Sequence, residues 1–407
     1  MIYLDYSANT PVDPAVLEAF CKAEQTYIGN PNSTHCAGRA ACEEMARVTD
    51  HIAGLLGVEP AGIIYTSGAS ESNNLAIKGI AQASRNTGRH MISTVLEHAS
   101  VGGTLTALQQ QGWEVDLLDI QRDGTIDLEQ LGDLLRKDTI LVSVCAVDSE
   151  LGTVQPIRQI TEILKDFPNC RLHVDATQAI GKTELVMDGV DTMSIAPHKF
   201  YGLNGSGLLL KKSSVIIEPQ IHGGSSTTLY RSGTPALALA VSIEKALQLT
   251  LTQQEERIRC VRQLNEYLKT ALLHYPSVRI NSPEGAVPHI LNLSVQGLKG
   301  TVFQRVLSER GVCVSVKSAC SAEGTPSKAV FAVSGDRKNA LSSWRVSLSH
   351  LTTREELDEF FAGVRPMLQR VGSMKNPLDY QISKYDCGST AMLNDASFRF
   401  QGKDIPL

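Results

Sequence analysis

The sequence predicts an α/β protein: a mostly parallel sheet covered by helices, followed by a smaller α+β unit. Three observations carry this. Between residues 63 and 210, short β-rich runs alternate with segments of helical pattern. After residue 231 the alternation gives way to a long helical stretch. Beyond about residue 260, strand-like and helical runs return. A chain of 407 residues is long enough for two packed domains, or for one large domain with an appendage.

The elements follow in order. Residues 35–57 place Ala41, Met45, Val48, Ile52 and Leu55 at helical spacing, which makes one apolar stripe. "GIIYTS" precedes the helix-like "SESNNLAIKGIAQAS", "HMISTVLEH" precedes "VGGTLTALQQQG", and "TILVSVCAV" precedes "IRQITEILKDF". "RLHVDAT", "TMSIAP" and "GLLLKK" complete the strand-like runs of this region. The stretch from "TPALALAV" to "YLKTALL" reads as one long helical region linking the two units. In the second unit "HILNLSVQGL", "VCVSV" and "WRVSLSH" read as strands. "TVFQRVLSERG", closed by Gly311, and "REELDEFFAGVRPMLQRV" read as helices. The boundaries expected are 1–15 with the small domain, 16–250 for the large domain and 251–372 for the small one. Residues 373–407 form an extension with balanced charge and no clear periodicity.

Bulk properties exclude several classes. Net charge is −5, with acids and bases interleaved, so direct nucleic-acid binding is not expected. "MIYLDYSANTPVD" has neither a basic n-region nor an apolar h-region, so it does not read as a signal peptide. No apolar run approaches bilayer length, so no membrane association is expected. The nine cysteines form no CxxC pair and no ordered framework. They read as reduced thiols in a cytoplasmic compartment, and no metal is expected.

Several residues carry candidate chemistry. Asp175 ends the buried-strand pattern "LHVD", where ligands bind in open α/β sheets, although a turn or N-cap aspartate has the same look. His198 and Lys199 lie between a strand end and the glycines of "YGLNGSG". A lysine there is usually a solvated charge. Beside a histidine and near an aspartate, it is also what pyridoxal 5'-phosphate requires: a Schiff-base lysine and an anionic partner for the ring nitrogen. "YTSGASESNN" supplies a phosphate cradle in which backbone amides and the Ser70 hydroxyl face a dianion, or else an ordinary capped helix start. His98 follows another strand, where an imidazole can stack on a ring and move protons, or serve structure alone. Arg345, on "SWRVSLSH", could hold a carboxylate in two-pronged fashion.

Taken in order, these pieces resemble the cysteine desulfurases, the NifS/IscS-like branch of the class-V aminotransferase superfamily. The resemblance runs from "YLDYSANTPVDP" through "YIGNPNSTH", "TSGASESNNLAIKG", "EHASV", "ELGTVQPI", "HVDATQAIGK", "HKFYGLNGSG", "RSGTP" and "SAC" to "WRVSLSHLTTREELD". It implies the fold type I of pyridoxal-phosphate transferases, with a seven-stranded sheet in the large domain. It also implies roles. Lys199 matches the Schiff-base lysine, Asp175 the partner of the ring nitrogen, and Gln178 a donor to the ring oxygen. His98 matches the stacking histidine that shuttles protons. Ala69, Ser70 and His198 match the phosphate cradle, joined by Thr234 from the second subunit of a homodimer. Asn32 and Arg345 match the substrate site. Cys320, on "SVKSACSAEGTPS", matches the nucleophile that takes sulfur from L-cysteine as a persulfide and hands it to an acceptor protein. Lys317 would favour its thiolate.

Three departures stand out. "DSE" (148–150) replaces the usual Asn-Asn-Glu, which puts Ser149 where an asparagine normally contacts the ring oxygen. Ala196 stands where a phosphate-binding serine is usual, and "HGGSSTTLYRSGT" keeps only the ends of its motif. A selenocysteine lyase, another class-V enzyme and a scaffold without catalysis are the competing readings. Iron–sulfur assembly, tRNA thiolation and DNA phosphorothioation are among the destinations the resemblance allows for the sulfur.

Overall fold

The computed structural model describes residues 1–224, 226–317 and 325–373. In chain order the strands are β1 (Ile2–Tyr3), β2 (Ile63–Thr66), β3 (His90–Thr94), β4 (Glu114–Leu118), β5 (Thr139–Cys145), β6 (Arg171–Asp175), β7 (Thr192–Ile195), β8 (Gly207–Lys211), β9 (Val278–Ile280), β10 (Ile290–Val295), β11 (Val312–Cys313) and β12 (Ser343–Ser347). The helices are α1 (Pro14–Thr26), α2 (Cys36–Leu56), α3 (Ala69–Ala83), α4 (Ala99–Gln109), α5 (Leu128–Leu134), α6 (Ile157–Leu164), α7 (Leu237–Thr252), α8 (Gln254–Leu272), α9 (Gly300–Ser308), α10 (Lys328–Ser334), α11 (Arg337–Ser342) and α12 (Arg354–Ser373).

β2 to β8 form one seven-stranded sheet in the order β2-β8-β7-β6-β5-β3-β4. The β3, β4, β5, β6 and β7 pairings are parallel, and β8 runs antiparallel to both of its neighbours. All seven residues of β5 are buried, and all but Thr139 and Ser143 are apolar, because helices cover both faces of a central strand. The α2 stripe buries Ala41, Met45, Val48 and Ile52 as expected, but Leu56 rather than Leu55 completes it. α2 stops where Gly57 takes a left-handed conformation at φ +66°.

The second unit pairs β10 antiparallel with both β9 and β12. β1 adds parallel to β11, and Asp5 bridges to Ser347, so the N-terminus is woven into this unit. The two largest apolar clusters among the described residues match the two units. One gathers residues of the seven-stranded sheet with α2 and α7. The other gathers Ile2 of β1, Leu4 just after it, and Val261, Leu268, Trp344 and Phe360 from α8, β12 and α12. α12 starts on a capping box: Thr353 N–H donates to Glu356 Oε2, and Glu356 N–H donates to Thr353 Oγ1.

The structure differs from expectation at several elements. The long helical region is two helices that meet at Gln253, whose ψ of 8° leaves the helical range. α8 then belongs with the second cluster rather than spanning both. β4 is an unexpected strand, because its charged, half-exposed edge pattern hides it. "VCVSV" is a strand only over Val312–Cys313, with Ser315 bridging singly to Arg345. Among the described residues, no helix is long and apolar enough to cross a membrane.

Candidate active site

A cavity of about 400 Å³ opens at the C-terminal ends of the parallel strands, between the sheet and the β12 unit. Each wall comes from a segment that follows a strand. After β2, residues Ser67, Gly68, Ala69 and Ser70 line it as α3 begins. Gly207 makes this approach feasible: a Cβ there would lie 2.6 Å from Gly68 Cα. β3 is followed by Leu96 and His98, β5 ends in Cys145 and is followed by Val147 and Ser149, and β6 ends in Asp175 and is followed by Thr177 and Gln178. His198 and Lys199 sit on a short 3₁₀ turn after β7. Arg345 enters from β12.

Asp175 is held on both oxygens. Thr177 N–H donates to Oδ1 at 3.0 Å, and Asn73 Nδ2 donates to Oδ2 at 2.8 Å. Asn73 is fully buried on α3 and joins two histidines to this carboxylate. His173 Nε2 donates to Asn73 Oδ1, while its Nδ1 meets the Thr192 hydroxyl. Asn73 Nδ2 also reaches Ser100 Oγ, which lies 2.8 Å from His98 Nδ1. Ser100 N–H can only donate to that same Nδ1, so Nδ1 is the acceptor and Nε2 the protonated nitrogen of neutral His98. Burial lowers the His98 pKa, with nearby Lys199 adding to the effect and Asp175 opposing it.

Lys199 Nζ donates to the carbonyls of Ser7 and Ala8, so the N-terminal segment reaches into the site. Gln178 donates through Nε2 to Ser7 O and accepts from Lys182 Nζ on Oε1. Arg345 is almost wholly buried. Its Nη2 pairs with Asp5 Oδ1 at 2.9 Å, its Nη1 donates to Ser149 O, and its Nε is buried with no partner. Thr177 Oγ1 is a second buried polar atom with no partner. Two further carboxyls lie behind the site. Burial pushes Glu97 up to about 8 and Asp148 up to about 7, and each has one buried oxygen without a partner.

The residues singled out in the sequence fall into three groups. Lys199, Asp175, Gln178, His98, His198, Ala69, Ser70, Ser149 and Arg345 all line the cavity. Asn32 and Thr234 do not: both are exposed, and Asn32 donates to Ser226 Oγ. Cys320 and the extension beyond residue 373 lie outside the described residues. Lys317 Nζ donates to Thr325 Oγ1, joining the two sides of the segment that carries Cys320. Ala196 is buried and takes no part in the lining. Sequence reasoning missed Asn73, Asp5, Thr177 and Cys145. Cys145 is no rival nucleophile, since burial and the surrounding carboxylates raise its thiol well above the usual range.

A lysine, a carboxylate and an imidazole around one cavity, at the strand ends of a mostly parallel sheet, define an α/β enzyme of the transferase kind. The aminotransferase class-V family matches residues 2–360, and the chain belongs to it. The "Cysteine desulfurase IscS" of Salmonella paratyphi B is 38% identical over 380 residues, covering 91% of this chain and 93% of that one. Among solved structures, a "NifS-like protein" superposes with a TM-score of 0.85 at 32% identity, covering 90% of this chain and 99% of that one. "SspA in complex with cysteine" superposes at 0.76 with 31% identity, covering 87% of this chain and all of that one.

Proposed function

We propose that the chain is a pyridoxal-phosphate-dependent cysteine desulfurase that converts L-cysteine to L-alanine and leaves a persulfide on Cys320. The observation that carries this is the meeting of Lys199, Asp175, Gln178, His98 and Arg345 around one cavity. The Cys320 segment leaves from beside it, because Ser315 pairs with Arg345. The cofactor suits these residues. Lys199 would hold it covalently, Asp175 would face its ring nitrogen and Gln178 its ring oxygen. The amides of Ala69 and Ser70 at the start of α3, with His198, would receive the phosphate. The orphaned Thr177 hydroxyl, buried in the same wall, offers one further hydrogen bond.

When bound, the group supplies an electron sink that loosens the bonds at an amino acid's α-carbon. The chain's residues do the rest. Asn73 and Thr177 fix the Asp175 carboxylate in one orientation. Ser100 occupies His98 Nδ1, which leaves Nε2 to move protons within the cavity. Arg345 receives the substrate carboxylate, held in place by Asp5 and Ser149 O. The Cys320 thiolate forms an S–S bond to the substrate sulfur as the C–S bond breaks. The electron pair and a proton end on alanine, and the outer sulfur stays on Cys320.

Thr234 is exposed and outside its own cavity, which supports its service to the partner site of a homodimer. In this reading residues 16–250 form the cofactor-binding domain, and residues 1–15 and 251–372 form the small domain to which the Cys320 segment belongs in sequence. An acceptor protein takes the sulfur, and the reduced thiols suit a cytoplasmic setting. The test is alanine release from L-cysteine in the presence of a reductant. Cys145→Ser should keep it and Cys320→Ser should lose it. Full turnover by the Cys320→Ser variant would refute the assignment.

A further inference from the structure

A second, much smaller cavity lies on the far side of Lys199, with room for about 20 Å³. That is one water-sized body, too little for a sulfate or a phosphate. Lys182, Lys199, Arg257, His289 and His350 are among its lining residues, and no carboxylate lines it. Arg257 is over nine-tenths buried. Its Nε and Nη2 donate to Gln253 Oε1, its plane lies over the Tyr201 ring, and its Nη1 is buried with no partner. His289 is as deeply buried, and its Nδ1 also lacks a partner.

These observations are independent and point the same way. A guanidinium is charged at any working pH, and burying it without a counter-charge is unfavourable. Burial holds His289 and His350 neutral, so each can offer an N–H without adding charge. A water would satisfy the orphaned donors but leave Asp13, a carboxylate outside the lining that acts on Arg257 and His350, as the counter-charge to Arg257, Lys182 and Lys199 together. A monatomic anion of nearly the same size satisfies the donors and adds a second counter-charge.

We infer that this cavity binds one halide-sized anion, chloride under ordinary conditions, held by Arg257, Lys182 and His289. The site adjoins the larger cavity, since Ser7 and Lys199 line both, and the Lys182–Gln178 hydrogen bond links them as well. Its charge favours the Lys182 ammonium, which fixes Gln178 Oε1 and so points the Gln178 amide N–H group at Ser7 O and the site. The inference rests on the small cavity alone and stands whichever reaction the larger one performs.

The test uses cofactor-loaded enzyme crystallised with sodium bromide in place of chloride, with diffraction recorded at the bromine edge. An anomalous peak between Arg257, Lys182 and His289 is expected. Density there without anomalous signal, or none, overturns the inference in favour of water. In solution, the same enzyme should melt about 2 °C higher in sodium chloride than in sodium gluconate of equal ionic strength. Arg257→Met should abolish that difference. Should it fail to fold, Lys182→Met serves, and loss of at least half the difference is expected. Equal melting of the unaltered enzyme in the two salts would reduce any bromide peak to an adventitious ion only, and so overturns the inference too.

Discussion

At the residue scale, the site is a set of charges whose orientations are fixed by neighbours far away in sequence. Asn73 lies 102 residues from Asp175 and ties it to Ser100 and, through that hydroxyl, to His98. Replacing His98 with Gln removes the nitrogen proposed to move protons while keeping a side chain of similar length. It should lower kcat by about 10²–10⁴-fold with the cofactor retained, as read from steady-state rates and the absorbance of the purified protein. Arg345→Lys tests the carboxylate site. A lysine cannot meet Asp5, Ser149 O and a substrate carboxylate at once, so KM for cysteine should rise by about tenfold or more. An unchanged KM would move the substrate carboxylate elsewhere. Asp175, Lys199 and His98 are legible in the sequence because each closes or follows a strand pattern. Asn73, Asp5 and Thr177 are not, because their meaning lies in contacts across the sheet or between the two units.

At the element scale, the cavity depends on how closely β8 lets the start of α3 approach. The backbone of Gly68 occupies the space where a side chain at Gly207 would stand. Gly207→Ala should therefore displace the first turn of α3. The expected cost is about 1–3 kcal/mol of stability, with weaker cofactor retention, measured by denaturant unfolding and by cofactor titration. Wild-type values in both would show that the cradle does not depend on this approach. The alternating βα pattern makes most of the large sheet legible in the sequence. The edge strand β4 stays hidden there because its residues are half-exposed and charged. The break at Gln253 stays hidden because α7 and α8 are both good helical sequence, and only packing against two different cores separates them.

At the scale of the whole molecule, the buried carboxyls behind the site set how stability depends on pH. Asp148 and Glu97 have folded-state values of about 7 and about 8, well above those of free carboxyls. A carboxyl whose pKa rises on folding holds its proton more tightly in the native state. Stability therefore falls as pH rises from about 4 towards 7 for Asp148 and towards 8 for Glu97, by about 1.4 kcal/mol per pH unit for each group. Asp148→Asn restores the amide usual at this position in the family and should flatten that decline, as followed by unfolding midpoints across the pH range. An unchanged slope would mean that Asp148 is ionised when folded. On the proposed function the two units would share one reaction, with the cofactor and substrate held at the strand ends of the seven-stranded sheet and Arg345 supplied by β12. The most direct check is mass spectrometry of the peptide carrying Cys320, after mixing cofactor-loaded enzyme with L-cysteine and no reductant. One added sulfur atom on Cys320, absent in Lys199→Ala, is the predicted result. Sulfur found on Cys145 or on no cysteine, while alanine still forms, would contradict it.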